Sequence, residues 1–137
     1  MHTILIAIDD QAISMLLSEE LFEEGYSIRT ISDPWMLSQT IQRDRPDLLV
    51  IDEFFGGGRG IDLCLSFRRY LLDTMVIVWA SWISALGEKK NRLPANFHIF
   101  KTHTLQELTQ EICRRIRQPG VQRTQEKFLV GECLLGR

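Results

Sequence analysis

Asp9 and Asp10, Asp52, Ser81 and Lys101 are the residues of this chain whose types and positions could do chemistry together. Each stands just beyond a short apolar run: TILIAI before the acid pair, PDLLVI before Asp52, MVIVWA before Ser81 and NFHIF before Lys101. Acids are among the residues least often buried, so an aspartate at the tip of such a run either surfaces there or is held for a purpose. Three carboxylates brought together raise one another's pKa unless a cation sits between them. Magnesium takes one or two carboxylates, several waters and a phosphate oxygen, which suits a small acidic cup better than a full protein cage. A lysine at the rim adds a point charge for an incoming phosphoryl group. The set describes phosphoryl transfer in which an aspartate is the nucleophile and the cation and lysine neutralise the equatorial oxygens.

The four apolar runs show no polar alternation, the pattern of parallel strands covered on both faces. A fifth, YSIRTI at 26–31, alternates more and suits an edge. Helical spacing separates them. Ile13, Leu16, Leu17 and Leu21 mark a first helix closed by Gly25, and a second starts at the N-cap Asp33 followed by Pro34 and stops before Pro46. Leu63, Phe67, Leu71 and Leu72 outline a third, a weak pattern from about 83 to 91 a fourth, and Leu105, Leu108, Ile112 and Ile116 a fifth that opens on the capping box Thr104–Glu107. Strands alternating with helices at these spacings predict an α/β fold, an open parallel sheet doubly wound with helices on both faces. Ligands of such sheets bind outside the carboxyl ends of the strands, the edge at which all five candidate residues arrive.

Bulk properties narrow the function. At 137 residues the chain has the size of one ordinary domain plus a tail. Sixteen basic and eighteen acidic residues give a formal charge of −2, no footprint for nucleic acid or an anionic membrane. Cys64, Cys113 and Cys133 lack the spacing of a zinc site or a disulfide framework and read as reduced thiols of a cytoplasmic protein. No apolar stretch approaches the roughly 18 residues of a membrane span, and TILIAI is too short for a signal peptide core.

The motifs themselves resemble a known family. IDD at 8–10, PDLLVID at 46–52 with Gly60 eight residues beyond Asp52, DTMVIVWAS at 73–81, and HIFKT before a capped helix are similar to the receiver domain of two-component response regulators. The resemblance runs over roughly residues 3–117, and its strength lies in four motifs in the right order. It implies a flavodoxin-like sheet of order 2-1-3-4-5. It also implies that Asp52 accepts a phosphoryl group from a histidine kinase, and that Asp9 and Asp10 hold Mg2+ with Asp52 and the backbone carbonyl of Phe54. Lys101 would contact the phosphoryl, and His98 would fill the aromatic switch position three before it. The implied partners are a histidine kinase or phosphotransfer protein, an output domain or protein, and a second copy in a homodimer, with neither nucleic acid nor membrane. Such a domain is no enzyme beyond its own phosphorylation and dephosphorylation.

Several positions depart from the family. Thr102 replaces the proline after the lysine and Gly56 a proline four after the acceptor, changes expected to loosen the loops around the site. The hydroxyl that ordinarily follows the fourth strand aligns with Ala80 in one register and with Ser81 in the other, where bulky Trp82 then follows. These departures motivate an alternative, an atypical receiver acting as a phosphorylation-independent interaction module. The glycines of GGGRG read as a flexible loop without a ligand role, since neighbouring acids would repel a phosphate, and no general base supports a metal-dependent hydrolase. A receiver at 1–118 is expected, with a tail at 119–137 set off by Pro119-Gly120. Its FLVGECLLGR, faintly similar to the start of the ATPase domain in sigma-54-dependent activators, reads as a linker to an output domain or as a private extension.

Overall fold

The computed structural model describes residues 2–81, 84 and 93–117. Five strands, β1 (Thr3–Ala7), β2 (Ser27–Ile31), β3 (Leu48–Asp52), β6 (Met75–Ala80) and β7 (Phe97–Lys101), form one parallel sheet in the order β2-β1-β3-β6-β7. Counting only these strands, the order is 2-1-3-4-5, as the resemblance implies. A small antiparallel hairpin, β4 (Phe54–Phe55) with β5 (Gly58–Arg59), stands between β3 and the next helix. The helices are α1 (Gln11–Glu23), α2 (Pro34–Asp44), α3 (Gly60–Ser66) and α4 (Leu105–Ile116), with a 3-10 turn at Arg68–Tyr70. The expected helix near 83–91 and the tail at 119–137 lie outside the described residues.

The two-residue period of a strand sorts the apolar runs into two cores. Ile4, Ile6, Leu48, Val50 and Ile77 face α1 and α4, meeting Leu17, Leu21, Leu108 and Ile112. Leu5, Ala7, Leu49, Ile51, Val76 and Val78 face the other way, against Leu37 and Ile41 of α2 and Ile61 and Cys64 of α3. Both faces being covered explains why these runs carry no polar alternation. Each fully buried aliphatic side chain contributes about 1.5–3 kcal/mol, so the sheet centre is the rigid base of the strand ends. Burial also pushes the Cys64 thiol up to about 12, which makes it inert.

Local signals set the helix ends. Asp33 Oδ1 accepts the Met36 N–H at 2.8 Å with Pro34 in the first turn. Gly25, at φ 100°, closes α1: its N–H reaches Phe22 O at 3.0 Å and the Tyr26 N–H reaches Leu21 O at 3.3 Å, the paired bonds of a Schellman motif. At α4 only half of the expected capping box forms. Thr104 Oγ1 accepts the Glu107 N–H at 3.2 Å, but the Glu107 carboxylate takes the Thr102 hydroxyl rather than the Thr104 N–H.

Two apolar positions expected in the core lie outside it. In α1 the buried stripe is Ser14, Leu17 and Leu21, with Ile13 at its margin, and Leu16 is half exposed. The third helix ends at Ser66 and gives way to the 3-10 turn, whose tighter winding sends Leu71 inward and leaves Leu72 74% exposed.

Candidate functional site

Parallel pairing brings the candidate residues to one edge. Asp52 is the last residue of β3, Lys101 the last of β7, Ser81 follows β6, and Asp9 and Asp10 follow β1. Strands β1 and β3 are neighbours at the point where the strand order reverses, so the acid pair and Asp52 share the crevice that doubly wound sheets use for ligands.

Asp52 is half-buried, and its Oδ1 accepts the Glu53 N–H at 2.8 Å. Its Oδ2 makes no hydrogen bond among the described residues. Burial pushes this carboxyl above the ordinary carboxylate range; the Glu53 N–H opposes the shift, and the charges of Asp9, Glu53 and Asp10 add to it. Asp9 is exposed and accepts the Gly56 N–H on both oxygens, at 3.1 and 3.3 Å. Asp10 is the N-cap of α1, its Oδ1 accepting the Ile13 N–H at 3.1 Å. One side chain thus serves both as helix cap and as part of the negative field at Asp52.

The glycine run is an ordered hairpin, not the loose loop expected. Gly56 and Gly57 have φ of 63° and 86°, the paired positive values of a type I′ turn. A Cβ at Gly56 would stand 2.3 Å from Pro34 Cγ, so the turn packs on the start of α2. Gly60 is required for a different reason: a Cβ there would meet the Asp52 carbonyl oxygen at 2.1 Å. The glycine eight residues beyond Asp52 is what lets α3 start against the end of β3. Thr102 likewise stiffens its loop rather than loosening it. It is buried, donates its N–H to Ala80 O at 3.2 Å, accepts the Thr104 N–H on Oγ1 and receives the Trp79 indole N–H on its carbonyl at 3.1 Å.

Ala80 is a buried strand residue paired with Lys101, where a methyl group has nothing to donate, and Ser81 is exposed one step beyond. Lys101 Nζ donates to Ser84 O at 2.6 Å. His98 lies three residues from Lys101 and therefore on the opposite face of β7, where Arg115 Nη1 of α4 comes to 3.5 Å from its Nδ1. Phe54 pairs with Arg59 across the hairpin directly after Asp52. A cleft of about 630 Å³ runs along α1 and β2 past Met15, Phe22 and Ile28, but none of Asp9, Asp10 and Asp52 lines it.

Sequence reasoning missed Glu53. Its N–H donates to Trp79 O at 2.9 Å and its carbonyl accepts the Gly60 N–H at 2.8 Å. Its carboxylate accepts the Ser81 N–H at 3.1 Å and the Ser84 hydroxyl at 2.5 Å. An acid next to a phosphoacceptor candidate was the available signal.

The donor set fits a hard cation. The oxygens are carboxylates, Asp52 is raised first by burial and further by the charges of Asp9, Glu53 and Asp10, and Lys101 at the same edge is engaged by a carbonyl. Among the described residues no group of three or more His, Cys, Asp or Glu is arranged to hold a metal ion by itself; magnesium ordinarily takes only one or two carboxylates and completes its shell with waters.

Fold and edge together define a doubly wound α/β domain with an acidic cup at its switch point. The chain belongs to the response regulator receiver domain family, whose model matches residues 4–113. It is 32% identical over 91 residues to the phosphate regulon transcriptional regulatory protein PhoB of Rhizobium meliloti (strain 1021), which covers 66% of this chain and 39% of that protein. It is 29% identical over 79 residues to the DNA-binding transcriptional regulator NtrC of Azospirillum brasilense, covering 58% of this chain and 16% of the relative. The chain therefore spans well under half the length of these relatives. Among solved structures it is similar to the response regulator TrrA of Thermotoga maritima in complex with Mg2+-BeF, with TM-score 0.68, 25% identity, and coverage of 83% of this chain and 98% of that one. A CheY-like receiver from Methanospirillum hungatei JF-1 shares the fold with TM-score 0.71 at 20% identity, covering 85% and 94%.

Proposed function

We propose that this receiver accepts a phosphoryl group on Asp52 from the phosphohistidine of a histidine kinase or phosphotransfer protein, in a Mg2+-dependent step. The observation that carries the reading is Asp52 itself: half-buried at the end of β3, one oxygen fixed by Glu53 N–H, the other turned to no partner among the described residues. In the transfer Oδ2 attacks phosphorus, the donor's P–N bond breaks, and the electron pair leaves on the imidazole. Bound Mg2+ would lower the charge on the phosphoryl oxygens and favour the ionised form of Asp52. Asp9, Asp10, Asp52 and the Phe54 carbonyl are the groups to hold it. Lys101 exchanges the Ser84 carbonyl for a phosphoryl oxygen, and Ser81 carries the first hydroxyl beyond β6, in the role that Ala80 cannot fill. The complex of the Thermotoga relative with Mg2+-BeF supports the same chemistry here.

The domain so defined is 1–118, with 119–137 as a linker to an output partner, in a cytoplasmic two-component pathway. No helix among the described residues is long and apolar enough to cross a membrane. His98, on the face of β7 toward α4, would relay the change to that partner or to a second copy of the domain.

Tryptophan emission tests the reading. Trp79 pairs with Asp52 across β3 and β6, which makes it a local reporter. Addition of beryllofluoride with Mg2+ is expected to shift the emission saturably in the native chain and to leave Asp52→Asn unchanged. An emission response equal in both proteins, or a native chain silent both in emission and in calorimetry, would overturn it.

A further inference from the structure

The contacts of Glu53 join three things that otherwise have no covalent reason to move together: the acceptor Asp52, the end of β6, and Lys101. Its backbone is held on both sides, by Trp79 O at 2.9 Å and by the Gly60 N–H at 2.8 Å. That leaves the side chain aimed at the segment following β6, where it receives the Ser81 N–H and the Ser84 hydroxyl. Ser84 in turn donates its N–H to Ser81 O at 3.0 Å and receives the Lys101 ammonium on its carbonyl at 2.6 Å. The chain of bonds runs from an acid beside the phosphoacceptor, through two serines, to the lysine. Ala80, the buried strand residue before Ser81, offers no hydroxyl with which a phosphoryl group could pull on this segment.

We propose that Glu53 is a positioning residue that couples phosphorylation of Asp52 to Ser81 and Ser84, beyond β6, by repulsion, alongside the attraction that the Ser81 hydroxyl supplies. The proposal rests on the phosphoacceptor reading of Asp52. A phosphoryl group on Asp52 adds negative charge one residue from the Glu53 carboxylate and draws the Lys101 ammonium toward it. Both effects act on Ser84: its hydroxyl loses the carboxylate that accepts it, and its carbonyl loses the ammonium. The Ser81 N–H is released in the same event, because the same carboxylate holds it. Both ends of this chain are charge-assisted bonds, whose strength comes from the ionic partner that a new charge nearby acts on.

Two variants separate charge from shape. Glu53→Gln keeps an amide oxygen to accept the Ser81 N–H but removes the repulsion, and Glu53→Ala removes the acceptor. The measurement is hydrogen exchange of the Ser81 amide by NMR with Mg2+ present throughout, with and without beryllofluoride, alongside the 19F signal of bound beryllofluoride. In the native chain the amide is expected to exchange roughly tenfold faster on beryllofluoride binding, the scale of one hydrogen bond to a charged group. In Glu53→Gln it stays protected although beryllofluoride binds at least as tightly, and in Glu53→Ala it exchanges fast under both conditions. Bound beryllofluoride with unchanged Ser81 protection in the native chain overturns the coupling and spares the phosphoacceptor reading. An equal acceleration in Glu53→Gln overturns it too. Absence of any bound 19F signal in the native chain overturns both.

Discussion

Replacing Gly60 with alanine places a methyl carbon 2.1 Å from the Asp52 carbonyl oxygen and 3.0 Å from Ile51 Cγ1. An ordinary contact begins at 3.4 Å, so α3 and the end of β3 would have to part by about 1.3 Å. Nothing flexible can absorb that displacement, because the atom struck is backbone in a strand paired on both sides. The Gly60 N–H, bonded to Glu53 O at 2.8 Å, would be stretched by the same movement. The cost is placed at the upper end of overpacking effects, about 3 kcal/mol, with a fall of roughly 10 °C in the unfolding midpoint for a chain of this size. Gly58→Ala is the control: no atom lies within 4 Å of its Cβ position, and it should change stability by less than about 0.5 kcal/mol. Urea unfolding of the two variants, with m-values equal to the native chain's, gives the comparison. A Gly60→Ala stability within 0.5 kcal/mol of Gly58→Ala would refute the close approach of α3 to the end of β3.

Asp52→Asn is expected to be more stable than the native chain near pH 7. The folded state holds Asp52 above its ordinary pKa, through burial and through Asp9, Glu53 and Asp10, so the native chain loses stability as pH rises through that raised value. The advantage of the variant should shrink as pH falls back through the same window, and Mg2+ should shrink it at neutral pH by stabilising the native chain alone; thermal unfolding between pH 4 and 7 reads both. Thr102→Val keeps the shape of a buried residue but removes the oxygen that joins Glu107 and the Thr104 N–H. A loss of about 1–2 kcal/mol in urea unfolding is expected, together with a rise in the Glu107 pKa by NMR titration, since the Thr102 hydroxyl is the main group lowering it.

Local patterns carried most of the fold. Short non-alternating runs such as LLVI read as strands covered on both faces, and four of them, with the more alternating YSIRTI and the helices between, leave few topologies besides a doubly wound parallel sheet. The cap at Asp33-Pro34 and the stop at Gly25 depend on neighbours within one helical turn, so they too are written in the chain order. Because parallel strands deliver their carboxyl ends to one edge, the grouping of Asp9, Asp10, Asp52, Ser81 and Lys101 also follows from the sequence.

Register and packing decided what those residues touch. Asp9 meets the Gly56 N–H across 47 residues and Glu53 meets Ser81 across 28, contacts that depend on where β1, β3 and β6 stop relative to one another. No periodicity encodes that alignment. The same is true of Thr102, whose role as a buried junction between β6 and α4 appears only when Ala80 and Glu107 are brought beside it, and of Leu16 and Leu72, which have core chemistry but stand exposed. The sequence by itself determined which residues arrive at the acidic edge, because strand direction is a local property. Only the tertiary structure decided that Glu53 is the residue tying that edge together, because hydrogen bonds between strand ends are set by the packing of the whole sheet.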